Sequence, residues 1–275
     1  MERDLARACF AEFLGTFVLV FFGVGVAHTA VLTGAQSGLW QVAVVWAIAV
    51  ALAIYTTGAI SGAHINPAMT LAFAVYRGFP ARRVGPYVVA QLLGAVAGAA
   101  LLYGLFHGAI AHFEAAKGLV RGDAASVLSA MTYGEYFPNP DLVAAGRLAN
   151  ADVSLVQAML GEGIGTAFLA LFVFALTDRR NGAGPGSALL PAFIGLAVAL
   201  NISIIAPLTQ AGFNPARDFG PRLVAWLAGW GSVAIPGPRG GFFTVYILAP
   251  CLGALCGAGV YQVLRRGHAE PAARG

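Results

Sequence analysis

The chain has 275 residues, 59% of them apolar and 10% charged, with a formal net charge of +4. A soluble domain carries roughly a quarter of its residues as Asp, Glu, Lys and Arg, so this composition argues against a water-soluble fold and for a bilayer as solvent. The excess positive charge is no nucleic-acid stripe, because the arginines sit in short clusters between apolar runs without aromatic interleaving.

The N-terminal "MERDLARACF" carries acids and lacks a small-residue cleavage site, so it reads as the approach to a first span and not as a removable signal. A spanning helix needs about 20 mainly apolar residues. Six segments qualify, at 6–31, 38–60, 84–110, 153–177, 187–207 and 242–264. The stretches 61–78 and 208–226 are too short to cross and too apolar for water, and each reads as a re-entrant half-helix. A connection at 111–152 contains "TYGEYFPNPDL", whose prolines and aromatics predict a folded external loop, and 265–275 is a tail. Cys9, Cys251 and Cys256 lie in or beside apolar segments without metal-ligand company and read as small hydrophobes.

Basic residues predict the orientation. Arg3, Arg7, Arg77, Arg82, Arg83, Arg179, Arg180, Arg265, Arg266 and Arg274 all fall on one side of a six-span topology, which places both termini in the cytoplasm. On the other side, Lys117, Arg121 and Arg147 are diluted by Glu114, Asp123, Glu135 and Asp141, and Arg239 precedes the last span.

The two halves are related. "AEFLGTF" at 11–17 matches "GEGIGTA" at 161–167, Asn-Pro-Ala at 66–68 recurs at 214–216, and "AQLLGAVAGA" at 90–99 resembles "APCLGALCGA" at 249–258. Three spans plus a half-span, repeated after an odd number of crossings, are inverted relative to the membrane, an arrangement that puts broken helices at the midplane. The expectation is an all-α membrane protein with one channel-like domain. Repeat one covers about 6–110 and repeat two about 153–264.

Non-helical backbone at membrane depth survives only when buried in protein or facing a watery cavity. Gly62, Ala63, His64 and Ile65, with Gln210, Ala211, Gly212 and Phe213, therefore predict two runs of carbonyls lining a pore. Asn66 and Asn214 are the expected N-caps, followed by Pro67 and Pro215 at the first helical position and by Ala68 and Ala216. Two helix starts meeting at the centre repel cations, and Arg217 adds a fixed charge one turn further on. The alternative for Arg217 is a structural pair with Asp218. Glu12 and Glu162 occupy equivalent repeat positions. They read better as acceptors for half-span N–H groups than as a proton relay. His64 reads as a packing residue, Asn201 and Ser203 as satisfied helix groups, and Trp46 as core or pore wall. No phosphate loop, metal spacing, cofactor motif or nucleophile elbow competes with a transport reading.

"SGAHINPAM", "FNPARDFGPR" and "AEFLGT" together resemble the aquaporin superfamily over essentially the whole chain. "YGLFHGAIAHFE", "YFPNP", "ALTDRRNG" and "LVAWLAGWGSVAIPG", with Asp218, Arg222 and Pro250, are similar to its glycerol-facilitator branch. The resemblance implies a right-handed bundle, a homotetramer in the inner membrane, a pore in each subunit and glycerol, water and urea as permeants. It also implies a filter at Trp46, Ile202, Ala211 and Arg217, with Trp46 facing the arginine. Glycerol facilitators have Gly and Phe at the middle two positions, so Ile202 and Ala211 depart from them. The set looks like that of some nodulin-26-like channels.

Overall fold

The computed structural model describes residues 2–266, so all but the start of the expected tail lies outside the described residues. The described residues are helices and loops without a strand. The first half contains α1 (Glu2–Thr33), α2 (Leu39–Ser61), α3 (Pro67–Tyr76) and α4 (Ala81–Ala116). Two short helices, α5 (Val127–Ala130) and α6 (Pro140–Ala144), lie in the connection to the second half, which contains α7 (Leu155–Leu176), α8 (Leu190–Thr209), α9 (Pro215–Ala225) and α10 (Ala249–Arg266). Six helices are long and apolar enough to cross a membrane. With 10 and 11 residues, α3 and α9 reach only about half of a ~30 Å hydrocarbon core.

The long helices end where the backbone turns left-handed. Gly62 (φ 89°) closes α2, and Gln210 (φ 63°) closes α8 just after Pro207 has weakened its last turns. The new helices start at Asn66–Pro67 and Asn214–Pro215, where each asparagine carbonyl oxygen accepts from the backbone N–H two residues on.

Two boundaries differ from expectation. The third span continues past 110 to Ala116, because Glu114 in its last turn is held by Arg121 (2.7 Å) and Ser129 (2.7 Å). The last span is entered through a wide π-helical turn, Thr244–Leu248. Pro250 lies just beyond it; its missing N–H and its ring disfavour a regular turn there.

The inverted repeat is visible in the packing. α1 lies along α4 and α7 along α10, in both cases through glycines. A Cβ on Gly94 would lie 2.2 Å from the Phe13 carbonyl oxygen, and one on Gly253 would lie 2.1 Å from that of Gly163. Gly98 and Gly257, one turn further along each helix, make the same approach to Phe17 and Ala167. Small residues four apart let membrane helices touch backbone to backbone, where van der Waals contact replaces the missing hydrophobic drive. The outer faces of the spans are correspondingly greasy, with Ile48, Leu105, Ile204 and Val263 exposed. Buried charges gather instead around α9 and the connecting loop.

Candidate functional site

Glu12 and Glu162 each organise one broken segment. The carboxylate of Glu12 accepts from the N–H groups of His64 (2.9 Å) and Ile65 (2.7 Å), from Ser61 Oγ and from Gln91 Nε2. Glu162 accepts from the N–H groups of Gly212 (2.9 Å) and Phe213 (2.7 Å), and from Thr209 Oγ1. In the next turn of each helix a glycine makes room for the residue before the asparagine. A Cβ on Gly15 would strike Ile65 at 2.7 Å, and one on Gly165 would strike Phe213 at 2.1 Å. Thr16 and Thr166 then bond back to the carbonyls of Glu12 and Glu162. The shared Glu-x-x-Gly-Thr pattern is therefore a cradle for a strained loop.

The strain is real. Ala63, Ile65, Gln210, Ala211 and Phe213 all have positive φ, which costs roughly 1–3 kcal/mol at a non-glycine residue. With N–H groups turned to the glutamates, the carbonyls turn the other way. Ile65 O accepts from Asn214 Nδ2 (2.7 Å), and Phe213 O accepts from Asn66 Nδ2 (2.9 Å). Each asparagine thus caps its own helix and clasps the opposite loop, leaving one amide hydrogen uncommitted.

One cavity of about 120 Å³ is lined by Gly62, Ala63, His64, Ile65 and Asn66 from the first loop, and by Ala211, Gly212, Phe213, Asn214 and Arg217 from the second. Trp46 and Ile202 complete one end, the outer one in the expected topology, while Phe73, Thr177 and Leu190 border the other. Gln210 is the exception among the expected carbonyl residues and does not border the cavity. Its side chain accepts from Tyr136 N–H and donates to the Met131 carbonyl, which turns it toward the connecting loop. His64 packs among Phe73, Phe79 and Tyr87 and contacts Thr70 Oγ1 through Nδ1. Asn201 and Ser203 bond carbonyls of their own helix.

The outer end is built from more than the four expected side chains. Arg217 pairs with Glu135, not Asp218, and its Nη1 donates to the Tyr133 carbonyl (3.2 Å). Its guanidinium lies 4.6 Å over the Trp46 ring, so these two form one continuous wall and do not face each other across the opening. Gly23 of α1 seats that ring, since a Cβ there would lie 2.2 Å from it. Behind them, Asp218 accepts from Glu135 N–H (2.7 Å) and from Arg222 Nε (2.6 Å). Arg222 also donates to the Ala234 and Glu135 carbonyls, so Asp218 and Arg222 pin the connecting loop over α9 and do not border the cavity. Burial pushes the Glu135 carboxyl up to about 8, against the opposing pull of Arg217. Tyr133 and Glu135 were legible only as loop residues, because nothing in "TYGEYFPNP" announces that it folds down onto the second half-helix. Among the described residues no cluster of His, Cys, Asp and Glu could hold a metal ion.

Six spans, two half-helices joined tip to tip and a narrow cavity running past that joint define a multi-pass membrane channel. The chain belongs to the major intrinsic protein family, whose pattern matches residues 1–261. It is 43% identical to the glycerol uptake facilitator protein of Escherichia coli K12, over 96% of this chain and 90% of that protein. The propanediol uptake facilitator PduF of Citrobacter freundii is 42% identical, over 96% and 94%. The X-ray structure of the aquaglyceroporin from Plasmodium falciparum superposes with a TM-score of 0.79 at 26% identity, covering 94% of this chain and 95% of that one.

Proposed function

We propose that the protein is a passive channel for glycerol and related polyols, with water as a co-permeant and ions and protons excluded. The observation that carries this reading is the mixed apolar and polar lining of the cavity. Apolar side chains such as Trp46, Val50, Ile194 and Ile202 share the lining with the broken segments 62–65 and 211–213, Asn66, Asn214 and Arg217, which supply polar partners. A polyol has both carbons and hydroxyls along its length, and both find partners in such a lining. Facilitators named for glycerol and propanediol among its relatives support the same substrate class.

In this reading Asn66 and Asn214 donate to a solute hydroxyl at the centre, and Arg217 donates at the outer constriction. Ile202 and Ala211 set its width. The positive ends of α3 and α9 meet at the asparagines and repel cations. Glu12 and Glu162 are structural: each carboxylate accepts from N–H groups of a strained loop. The protein resides in the inner membrane with both termini cytoplasmic, as the arginine clusters favour, and assembles as a homotetramer.

Proteoliposome swelling tests this. Glycerol should enter far faster than into empty liposomes, sorbitol should not, and a proton gradient should change neither rate. Glycerol entry no faster than in empty liposomes overturns the channel; uptake that follows the proton gradient indicates a coupled carrier instead.

A further inference from the structure

α1 supplies none of the four filter side chains, yet it supports the wall of the constriction at two places. Gly23 seats Trp46, as described above, and further along the same helix His28 is fully buried against Tyr133. The two rings meet edge to face, 4.6 Å between centroids and 86° between planes. On its other sides Tyr133 meets Trp230 (5.5 Å) and His28 meets Phe106 (5.2 Å), so the pair sits in a closed aromatic compartment.

The hydrogen bonding shows how Tyr133 is held. His28 Nδ1 lies 2.9 Å from the Val24 carbonyl, which can only accept, so Nδ1 carries the proton and the ring is locked onto its own helix. His28 Nε2 has no partner, and neither has the Tyr133 hydroxyl, although Tyr133 is itself fully buried. No side-chain hydrogen bond anchors this tyrosine; the flat rings of His28 and Trp230 do. Its carbonyl is the one that receives Arg217 Nη1.

We propose that His28 is a specificity-determining positioning residue. Its ring edge fixes Tyr133, whose carbonyl fixes the guanidinium of Arg217, and α1 thereby sets the width of the outer constriction. This rests on the channel reading above. The contact with Tyr133 is a packing one, so it depends on the ring shape and not on the unpartnered Nε2.

The test is the ratio of glycerol to water permeability, measured by stopped-flow light scattering on proteoliposomes of equal channel content. A ratio is unmoved by a variant that merely lowers the amount of folded protein. His28→Ala and Tyr133→Leu should each shift it by roughly threefold or more, the scale of coupling between residues in contact. The double variant should shift it no further than either single one. His28→Phe and Tyr133→Phe should keep the wild-type ratio, because each retains the ring. Should the alanine variant not reach the membrane, His28→Leu refills the space without a flat edge and should shift the ratio. A wild-type ratio in His28→Ala or His28→Leu, or simple additivity in the double variant, overturns the proposal. So does a His28→Phe ratio as altered as that of the alanine variant. Absence of glycerol flux in the wild type would instead remove the channel reading on which it stands.

Discussion

Arg217 and Glu135 form a buried ion pair at the outer end of the cavity, joining the second half-helix to a loop that belongs to neither repeat. A lone guanidinium at this position would project its full charge onto every solute. Here the Glu135 carboxyl behind it fixes where the guanidinium points and, when ionised, absorbs part of that charge.

The pair has a pH dependence with a definite sign. Burial raises the Glu135 carboxyl to about 8. Above that pH it is ionised and compensates Arg217; below it the carboxyl is neutral and the arginine charge stands alone. Glycerol flux is expected to fall as external pH drops through about 8, and Glu135→Gln should show low flux with no inflection there. Above that pH, where the carboxylate is ionised, removing one partner of the buried pair costs about 3–5 kcal/mol, so Glu135→Gln should unfold at a lower temperature in detergent at pH 9. A flat wild-type pH profile between 6.5 and 9.5 would refute the assignment.

Replacing either cradle glutamate should cost the fold before it costs the permeation chemistry. In Glu162→Gln one carboxylate oxygen becomes an NH2 group, which faces the N–H of Gly212 if it replaces Oε1 or that of Phe213 if it replaces Oε2. Each buried donor left unpaired costs about 1–3 kcal/mol. Thermal unfolding should show the loss, and Glu12→Gln should match it by leaving the N–H of either His64 or Ile65 unpaired. Equal stability with altered flux would favour a direct part for these carboxyls in transport.

Ala211 and Ile202 both border the outer end of the cavity. Ala211→Phe should therefore lower glycerol and urea permeability by roughly tenfold, comparable to the 1–3 kcal/mol of overpacking a filled site, while water is affected less. Solute-specific swelling rates measure this, and equal losses for all three solutes would place Ala211 outside the constriction.

The glycine seams are predicted to tolerate no side chain. Gly94→Val and Gly253→Val each drive a Cβ into a carbonyl oxygen about 2 Å away on the partner helix. Forced separation of the helices should cost at least the roughly 1–3 kcal/mol of core overpacking. Membrane-integrated yield and unfolding temperature should fall together. Gly104 and Gly108, with nothing within 4 Å, serve as controls that should accept alanine.

Much of this molecule could be read without coordinates, because a bilayer makes few demands and states them plainly. Lengths of apolar sequence set the six spans, and Asn-Pro marked both helix starts, because proline cannot continue a helix but can begin one. The duplicated Glu-x-x-Gly-Thr was visible as a repeat, and its purpose followed from the N–H groups that a broken helix must satisfy. Gln210 shows where local reasoning stopped: its place in the loop suggested a pore-lining carbonyl, but the residue does not border the cavity and its side chain is held by Tyr136 and Met131.

What only the tertiary structure decided is which distant groups share the arginine. Glu135, Tyr133, Trp46, Gly23 and, through Tyr133, His28 come from three separate stretches of chain to surround one guanidinium. No spacing rule connects them, because contacts across a bundle depend on how the helices cross and how a loop folds back. The amino-acid sequence determined that there would be two half-helices, an asparagine at each tip and an arginine beside them. Side-chain packing around that arginine determined the charge and the width that a solute meets.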